Sequence, residues 1–205
     1  MGEYRLIGLT GPYCAGKNHV EKLLIERGME VLDLDKLGHQ VIEYEKDRII
    51  EHFGTSIVRE DGTINRASLG KLVFGKPGEL AYLENIVHPA VQKWTWKWID
   101  DGSGKIKVVN AALLHRSEAF DRLELIIIVK APLLTRILRA KKRDKLPLKQ
   151  ILKRIKSQRE FNSQYLKSNA DIRIVDNRGY FRICSQFHQR NLETRINKIL
   201  SGRGR

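Results

Sequence analysis

Cysteines and long apolar runs are both scarce in this chain of 205 residues, and each scarcity excludes a class of protein. The two cysteines, Cys14 and Cys184, lie far apart and form neither a zinc-binding nor a disulfide pattern, which suits a reducing compartment. No apolar stretch is long enough to cross a bilayer, and the N-terminus carries neither a signal peptide nor a myristoylation motif. We therefore expect a cytoplasmic protein that does not insert into membranes.

Acidic residues are also in deficit, because 24 Asp and Glu stand against 38 Lys and Arg and leave a net charge of +14. This excess favours anionic partners such as nucleotides, coenzymes or nucleic acid. No nucleic-acid-binding motif is present, however, and aromatic residues do not interleave with the most basic stretch, 136–159. A nucleic-acid partner is therefore disfavoured, and nothing in the sequence implies an obligate protein partner.

Short apolar runs separated by helical patterns predict a doubly wound α/β fold around a parallel sheet. Hydrophobic residues make up 41% of the chain, which is enough for the core of one domain of this length. The predicted strands are 4–9, 31–32, 106–109, 125–129 and 172–175.

A glycine-bounded loop follows the first predicted strand and leads into a helical pattern. Its parts are Gly11, Gly16 and Lys17, which match a phosphate-binding loop except that Asn18 replaces the usual Ser or Thr. In such a loop the backbone N–H groups and the helix N-terminus hold a polyphosphate, and the lysine reaches the β- and γ-phosphates. The alternative interpretation is an ordinary strand-to-helix turn.

Two carboxylates, Asp33 and Asp35, follow the second predicted strand, where open α/β sheets bind their ligands. In an extended segment both side chains would point the same way, so one could accept a hydroxyl proton while the other organises Mg²⁺. The alternative is that one of them only caps the following helix.

Two further segments differ in composition from the rest. Residues from about 54 to 104 are mostly helical in pattern and carry an aromatic stripe, which is typical of a packed face but could also line a ligand site. Residues 136–159 form two basic helical arms separated at Leu146–Leu148, and Asp144 is their only acid. This pattern predicts either a phosphate-closing lid or a solvated basic face.

Motifs from Tyr4 to about Tyr180 together resemble the dephospho-coenzyme A kinase family. They occur in the order and spacing of that family and are LTGPYCAGK at 9–17, VLDLD at 31–35, HFG at 52–54, DGTINRASL at 61–69, His88-Pro89, RAKKRD at 139–144, RIKSQ at 154–158 and VDNRG at 175–179.

The resemblance implies a transfer of the γ-phosphoryl group of ATP to the ribose 3′-hydroxyl of dephospho-coenzyme A, with Mg²⁺ as cofactor. It implies a single P-loop kinase domain over 1–205, with a helical coenzyme-binding part at about 54–104 and a lid at about 136–168. Asp35, Lys17 and Arg143 would be catalytic, and Asn18 and Asp33 would hold the metal. The residues expected to bind the nucleotide are Gly11, Cys14, Ala15, Gly16, Lys17, Asn18, His19, Arg139 and Asn177.

The chain departs from the family pattern at several positions of the expected site. Pro12 and Cys14 stand where the family usually has glycine, His39 stands where it has arginine, and Ala112 and Arg116 replace a proline and an acid. Together with Asn18, these differences leave open a second interpretation, in which the chain is a catalytically impaired relative that binds nucleotide or coenzyme.

Overall fold

The computed structural model describes residues 4–158, 165, 168–178 and 185–201, and within 185–190 it describes the backbone alone. Cys184, Gly179 and most of the predicted lid beyond residue 158 lie outside the described residues. The chain divides into two compact units, of which one runs through Leu32 and resumes at Ser103, and the other is Asp33–Gly102.

A five-stranded sheet organises the first unit. The strands are β1 (Leu6–Thr10), β2 (Glu30–Asp33), β3 (Lys107–Asn110), β4 (Leu125–Lys130) and β5 (Asp171–Asp176). Their order in the sheet is β2-β3-β1-β4-β5. Strand β1 pairs in parallel with both β3 and β4, and β4 pairs in parallel with β5. All five predicted strands are confirmed, and the crossovers between parallel neighbours give the α/β fold that the sequence predicts.

Helices of the first unit flank the sheet, whose strands β1, β3 and β4 are buried along almost their whole length. They are α1 (Lys17–Ile25), α6 (Leu133–Asp144), α7 (Leu148–Lys156) and α8 (Ser185–Leu200). The main core joins Leu23 and Leu24 of α1 and Leu192 and Ile196 of α8 to alternate residues of the strands, such as Ile7. On the opposite side of β1, a Cβ atom at Gly8 would come within 2.7 Å of the side chains of both Leu114 and Leu123, so any larger residue would force these leucines to move.

The second unit is helical and has a core of its own. It contains α2 (Leu34–Tyr44), α3 (Lys46–Phe53), α4 (Arg66–Val73) and α5 (Pro77–Ile99). The buried residues of this cluster are Ile49, Ile57, Ile64, Leu69, Val73 and Ile86. The aromatic stripe of α5 is only partly packed, since Trp94 remains 42% exposed and contacts the ring of Tyr44 edge to face. The unit begins at Asp33, whereas the sequence pattern places the start of the helical part at about residue 54.

The basic stretch forms two helices, as the sequence predicts. Helix α6 ends at Asp144 and is capped by Lys145, which adopts a left-handed conformation with φ of 54°, and α7 begins after Pro147. The break lies at Leu146 because the ring of a following proline disfavours helical backbone in the residue before it. Among the described residues, no helix combines the length and the apolar character that crossing a bilayer would require.

Candidate active site

The loop between β1 and α1 has the backbone geometry of an anion cradle. Gly16 caps α1 with φ of 97°, a left-handed conformation that glycine adopts without strain. A Cβ atom there would lie 2.0 Å from Nδ2 of Asn177, and one at Gly11 would lie 2.6 Å from the backbone oxygen of Val129. A side chain at position 11 would therefore meet backbone atoms, and one at position 16 would displace Asn177 and strain the left-handed backbone.

Side chains from distant segments hold the carbonyl groups of this loop. The Nε of Arg136 donates to the Tyr13 carbonyl at 2.7 Å. The Ala15 carbonyl accepts from Nη1 of Arg139 at 2.8 Å and from Nδ2 of Asn177 at 3.0 Å. In a trans peptide the carbonyl and the next N–H point in opposite directions. The N–H groups that follow these carbonyls, in Cys14 and Gly16, are therefore turned away from the arginines.

Helix α1 adds positive potential at the same place. Its first turn contains Lys17, Asn18 and His19 and no acidic residue. Lys17 is half-buried, whereas Asn18 and His19 are exposed. Because the N-terminus of a helix carries unsatisfied N–H groups and a partial positive charge, this turn favours an anion such as a phosphate.

Arg139 and Asn177 form a bracket behind the loop. Nη2 of Arg139 donates to both the backbone oxygen and Oδ1 of Asn177, at 3.1 Å each. Asn177 is buried and its own N–H donates to the Lys130 carbonyl, which ties the bracket to β4. Burial lowers the pKa of the Arg139 guanidinium, but arginine remains charged. The two residues expected at the nucleotide thus meet against the loop, and their contact with ATP stays a prediction.

Cys14 faces the basic helices. Its side chain packs with Ala140 and Ile151, which belong to α6 and α7. Burial raises the pKa of its thiol, so the sulfur stays protonated and behaves as a small apolar group. With φ of 59° it holds a backbone conformation that is unusual for a side-chain-bearing residue. The loop consequently has a left-handed residue at two places, Cys14 and Gly16.

Asp33 and Asp35 open the helical unit. Asp33 is the N-cap of α2, since its Oδ1 accepts the N–H groups of Asp35 at 3.0 Å and Lys36 at 3.1 Å. The expectation of an extended segment carrying both carboxylates is wrong, because the cap starts the helix at Leu34 and places Asp35 in its first turn. The capping alternative is confirmed for Asp33, while the chemical role of Asp35 stays a prediction.

The match to known proteins decides the family. A family model described as "Dephospho-CoA kinase" matches residues 5–181. The chain belongs to the dephospho-CoA kinase family. A Halalkalibacterium halodurans protein named "Dephospho-CoA kinase" is 36% identical over 183 residues, which are 85% of this chain and 88% of the relative. A Treponema pallidum protein of the same name is 33% identical over 209 residues, which are 97% of this chain and 95% of the relative.

Solved structures agree with the fold of this dephospho-CoA kinase family member. A Thermus thermophilus protein aligns with a TM-score of 0.79 and 27% identity, covering 98% of each chain. A dephospho-CoA kinase from Campylobacter jejuni aligns with a TM-score of 0.66 at 21% identity, covering 96% of this chain and 98% of the other. A shikimate kinase from Acinetobacter baumannii aligns with a TM-score of 0.53 at 18% identity, covering 98% of this chain and 96% of the other, which supports the P-loop kinase fold.

Sequence reasoning missed the contacts among four residues that shape the loop of this kinase. Arg136 and Gln158 bind the backbone of Tyr13, and the phenol of Tyr13 bonds to Asp144. Gln158 lies within the RIKSQ motif and Asp144 is the single acid of a basic stretch, so the sequence marked both residues as unusual. Tyr13 was not marked in this way, because its contacts come from residues more than 120 positions away.

Proposed function

We propose that this protein transfers the γ-phosphoryl group of ATP to the ribose 3′-hydroxyl of dephospho-coenzyme A, giving coenzyme A and ADP. The observation that carries this conclusion is the family match over residues 5–181. The geometry of the loop supports it, since an N-terminal helix turn without acids and a glycine-bounded cradle suit a polyphosphate. The impaired alternative has no structural observation in its favour, because the loop keeps both glycines and the lysine.

On the donor side, the loop would bind ATP through backbone N–H groups while Lys17 meets the β- and γ-phosphates. These contacts are electrostatic and are set before the reaction starts, which is how P-loop kinases accelerate a transfer that needs little covalent participation by the protein. Arg143 would add positive charge to the transferring group. Arg139 and Asn177 would help to bind ATP indirectly, because they hold the Ala15 carbonyl and so orient the loop N–H groups that face the phosphates. They would also contact the nucleotide directly.

On the acceptor side, Asp35 would act as the general base. The 3′-oxygen attacks the γ-phosphorus as its proton passes to the Asp35 carboxylate. The bond between the γ-phosphorus and the bridging oxygen breaks, and ADP leaves with the electron pair. The helical unit, Asp33–Gly102, would hold the coenzyme, and the exposed aromatic residues Tyr44 and Trp94 offer it apolar surface.

The possible protein ligands for Mg²⁺ are few, so the ion would bind mainly through the phosphates of ATP. Among the described residues no three His, Cys, Asp or Glu side chains are grouped as metal ligands. Asn18 offers an exposed amide oxygen in the first turn of α1, whereas both oxygens of Asp33 are engaged by α2, Oδ2 by Lys36 at 3.4 Å. Asn18 is thus the better suited of the two proposed ligands. When bound, Mg²⁺ neutralises phosphate charge and usually keeps several waters.

Lys17→Ala tests the donor side of the proposal in an assay of coenzyme A formation from ATP and dephospho-coenzyme A. We expect both weaker ATP binding and slower transfer, because the ammonium contacts charge that is present before and during the reaction. Lys22→Ala, an exposed lysine in the last turn of the same helix, is the matched control and should behave as wild type. Unchanged ATP affinity and rate in Lys17→Ala would mean that the loop is an ordinary turn.

A further inference from the structure

Tyr13 is connected to the basic helices through three separate groups. Its backbone N–H donates to Oε1 of Gln158 at 2.7 Å, and its carbonyl accepts from Nε of Arg136 at 2.7 Å. Its phenol donates to Oδ2 of Asp144. One loop residue thereby bonds to the first turn of α6, to its last residue and to the segment after α7.

Asp144 collects two arginines at the same place. Arg143 donates to it from Nε at 2.6 Å and from Nη2 at 3.2 Å, and Nη1 of Arg154 lies 3.6 Å from Oδ2. Both guanidinium groups also lie over the Tyr13 ring, at 5.3 Å and 5.6 Å from its centroid. A cation is attracted to the face of an aromatic ring, so ring and carboxylate hold the two arginines together.

The protonation states of Asp144 and Tyr13 match the hydrogen bond between them: an ionised carboxylate accepts and a protonated phenol donates. The hydrogen bond from Arg143 holds the pKa of the Asp144 carboxyl below its usual range, so it is ionised at neutral pH. Burial and the bond to Asp144 raise the pKa of the Tyr13 phenol, which therefore keeps the proton it donates. One carboxylate thus offsets the repulsion between Arg143 and Arg154, which come from different helices.

Exposure separates these two arginines from those that hold the loop. The side chains of Arg143 and Arg154 are 60% and 55% exposed, although Asp144 beside them is 17% exposed. Arg136 and Arg139, in contrast, are half-buried and donate to loop carbonyls, Arg136 from Nε and Arg139 from Nη1, while Nη2 of Arg136 is buried without a hydrogen-bond partner among the described residues. Each guanidinium has five N–H donors, and Asp144 engages only one side of each exposed group. Arg143 and Arg154 therefore keep exposed N–H donors that can bind an anion while their contacts with Asp144 remain.

We propose that Tyr13 is a positioning residue for phosphoryl transfer, which acts through Asp144 to hold Arg143 and Arg154 beside the phosphate loop. Arg154 then becomes a second arginine that contacts the transferring phosphates. The inference rests on the proposed function, because the held arginines accelerate a reaction only if the loop binds a phosphoryl donor. Its physical basis is that a charged group already held in place loses no conformational entropy when the transition state forms.

Tyr13→Phe removes the phenol oxygen and leaves the ring and the backbone bonds in place. We expect kcat to fall about tenfold while the ATP dissociation constant stays within about twofold, because hydrogen bonds to charged groups are worth more than neutral ones and this one orders the arginines. Tyr4→Phe is the matched control, since the Tyr4 phenol also bonds to an aspartate, Asp171, at the opposite end of the strands. That variant should keep the wild-type kcat.

A double-mutant cycle separates positioning from a general loss of stability. Asp144→Asn should lower kcat at least as much as Tyr13→Phe, and the double variant should be no slower than Asp144→Asn alone, because the two groups act as one unit. Amide exchange in 133–158 of the ligand-free protein should be faster in Tyr13→Phe and unchanged in Tyr4→Phe. Independent, multiplying effects on kcat, or a wild-type kcat in Tyr13→Phe, would overturn the proposal.

The exchange measurement distinguishes failure of this inference from failure of the proposed function. If the wild type forms no coenzyme A, the kinase assignment fails, and the positioning role for phosphoryl transfer fails with it. If the wild type turns over but Tyr13→Phe exchanges in 133–158 like wild type, the phenol does not order these helices and the positioning role alone fails. Faster exchange with a lowered kcat supports both.

Discussion

Arginine serves two different purposes around the phosphate loop. Arg136 and Arg139 donate to loop carbonyls and are partly buried, which lowers the pKa of each guanidinium without removing its charge. Arg143 is bonded to Asp144 and remains exposed. The planar guanidinium suits both holding the loop carbonyls and binding a phosphate, because it can bind two acceptors at once. A count of basic residues in 136–159 therefore says little about which of them can meet a phosphate.

The proposed general base gives a prediction at the same scale. Asp35→Asn should reduce kcat by about 10²- to 10⁴-fold, because the amide cannot accept the proton of the 3′-hydroxyl. The ATP dissociation constant should stay near the wild-type value, since a base acts on the acceptor. Asp47→Asn is the matched control, because Asp47 is an exposed aspartate in the first turn of the next helix, α3. A wild-type kcat in Asp35→Asn would reduce Asp35 to a structural role in α2.

At the scale of elements, the basic helices α6 and α7 are the part of the chain expected to respond to ligand. They pack on the loop around three buried residues, while most of α7 stays exposed; the buried residues are Cys14, Ala140 and Ile151, with Tyr13, Ile137, Leu146 and Ile155 partly buried against them. An element with few buried apolar contacts opens at low free-energy cost. This supports the lid interpretation of the stretch over that of a fixed basic surface.

Amide exchange tests the lid directly. Exchange in 133–156 should slow when a non-hydrolysable ATP analogue and dephospho-coenzyme A are both bound, because the helices would then close over the phosphates. Residues 191–200 of α8, which pack in the main core through Leu192 and Ile196, are the internal control and should not change. Equal exchange of 133–156 with and without the ligands would favour the solvated face.

The sequence predicts the strands well and the contacts around the loop poorly. Strand β4 is a run of branched apolar residues buried from Leu125 to Val129, and such a run is typical of a buried strand. The sequence leaves the start of α2 open, because an aspartate after a strand suits either an extended segment or a cap, and only the local bonds of Asp33 decide between them. The approach of Asn177 to Gly16 depends on the order of the strands, which short-range patterns do not contain.

For the whole molecule, the proposed roles divide between the two compact units. The loop, Lys17 and the arginines belong to the unit with the sheet, whereas the proposed base, Asp35, belongs to the helical unit. The net charge of +14 suits both substrates, because ATP and dephospho-coenzyme A are anions. The account therefore requires one chain to bind both and to pass a phosphoryl group between them.

The most direct test of that claim follows the phosphoryl group itself. The wild-type protein would be incubated with Mg²⁺, dephospho-coenzyme A and ATP whose non-bridging γ-oxygens are ¹⁸O, and the products would be analysed by mass spectrometry and phosphorus NMR. The account predicts coenzyme A with the labelled phosphate on the ribose 3′-oxygen, unlabelled ADP, and no product when Mg²⁺ is chelated. Recovery of unchanged dephospho-coenzyme A by a protein that binds ATP would contradict it.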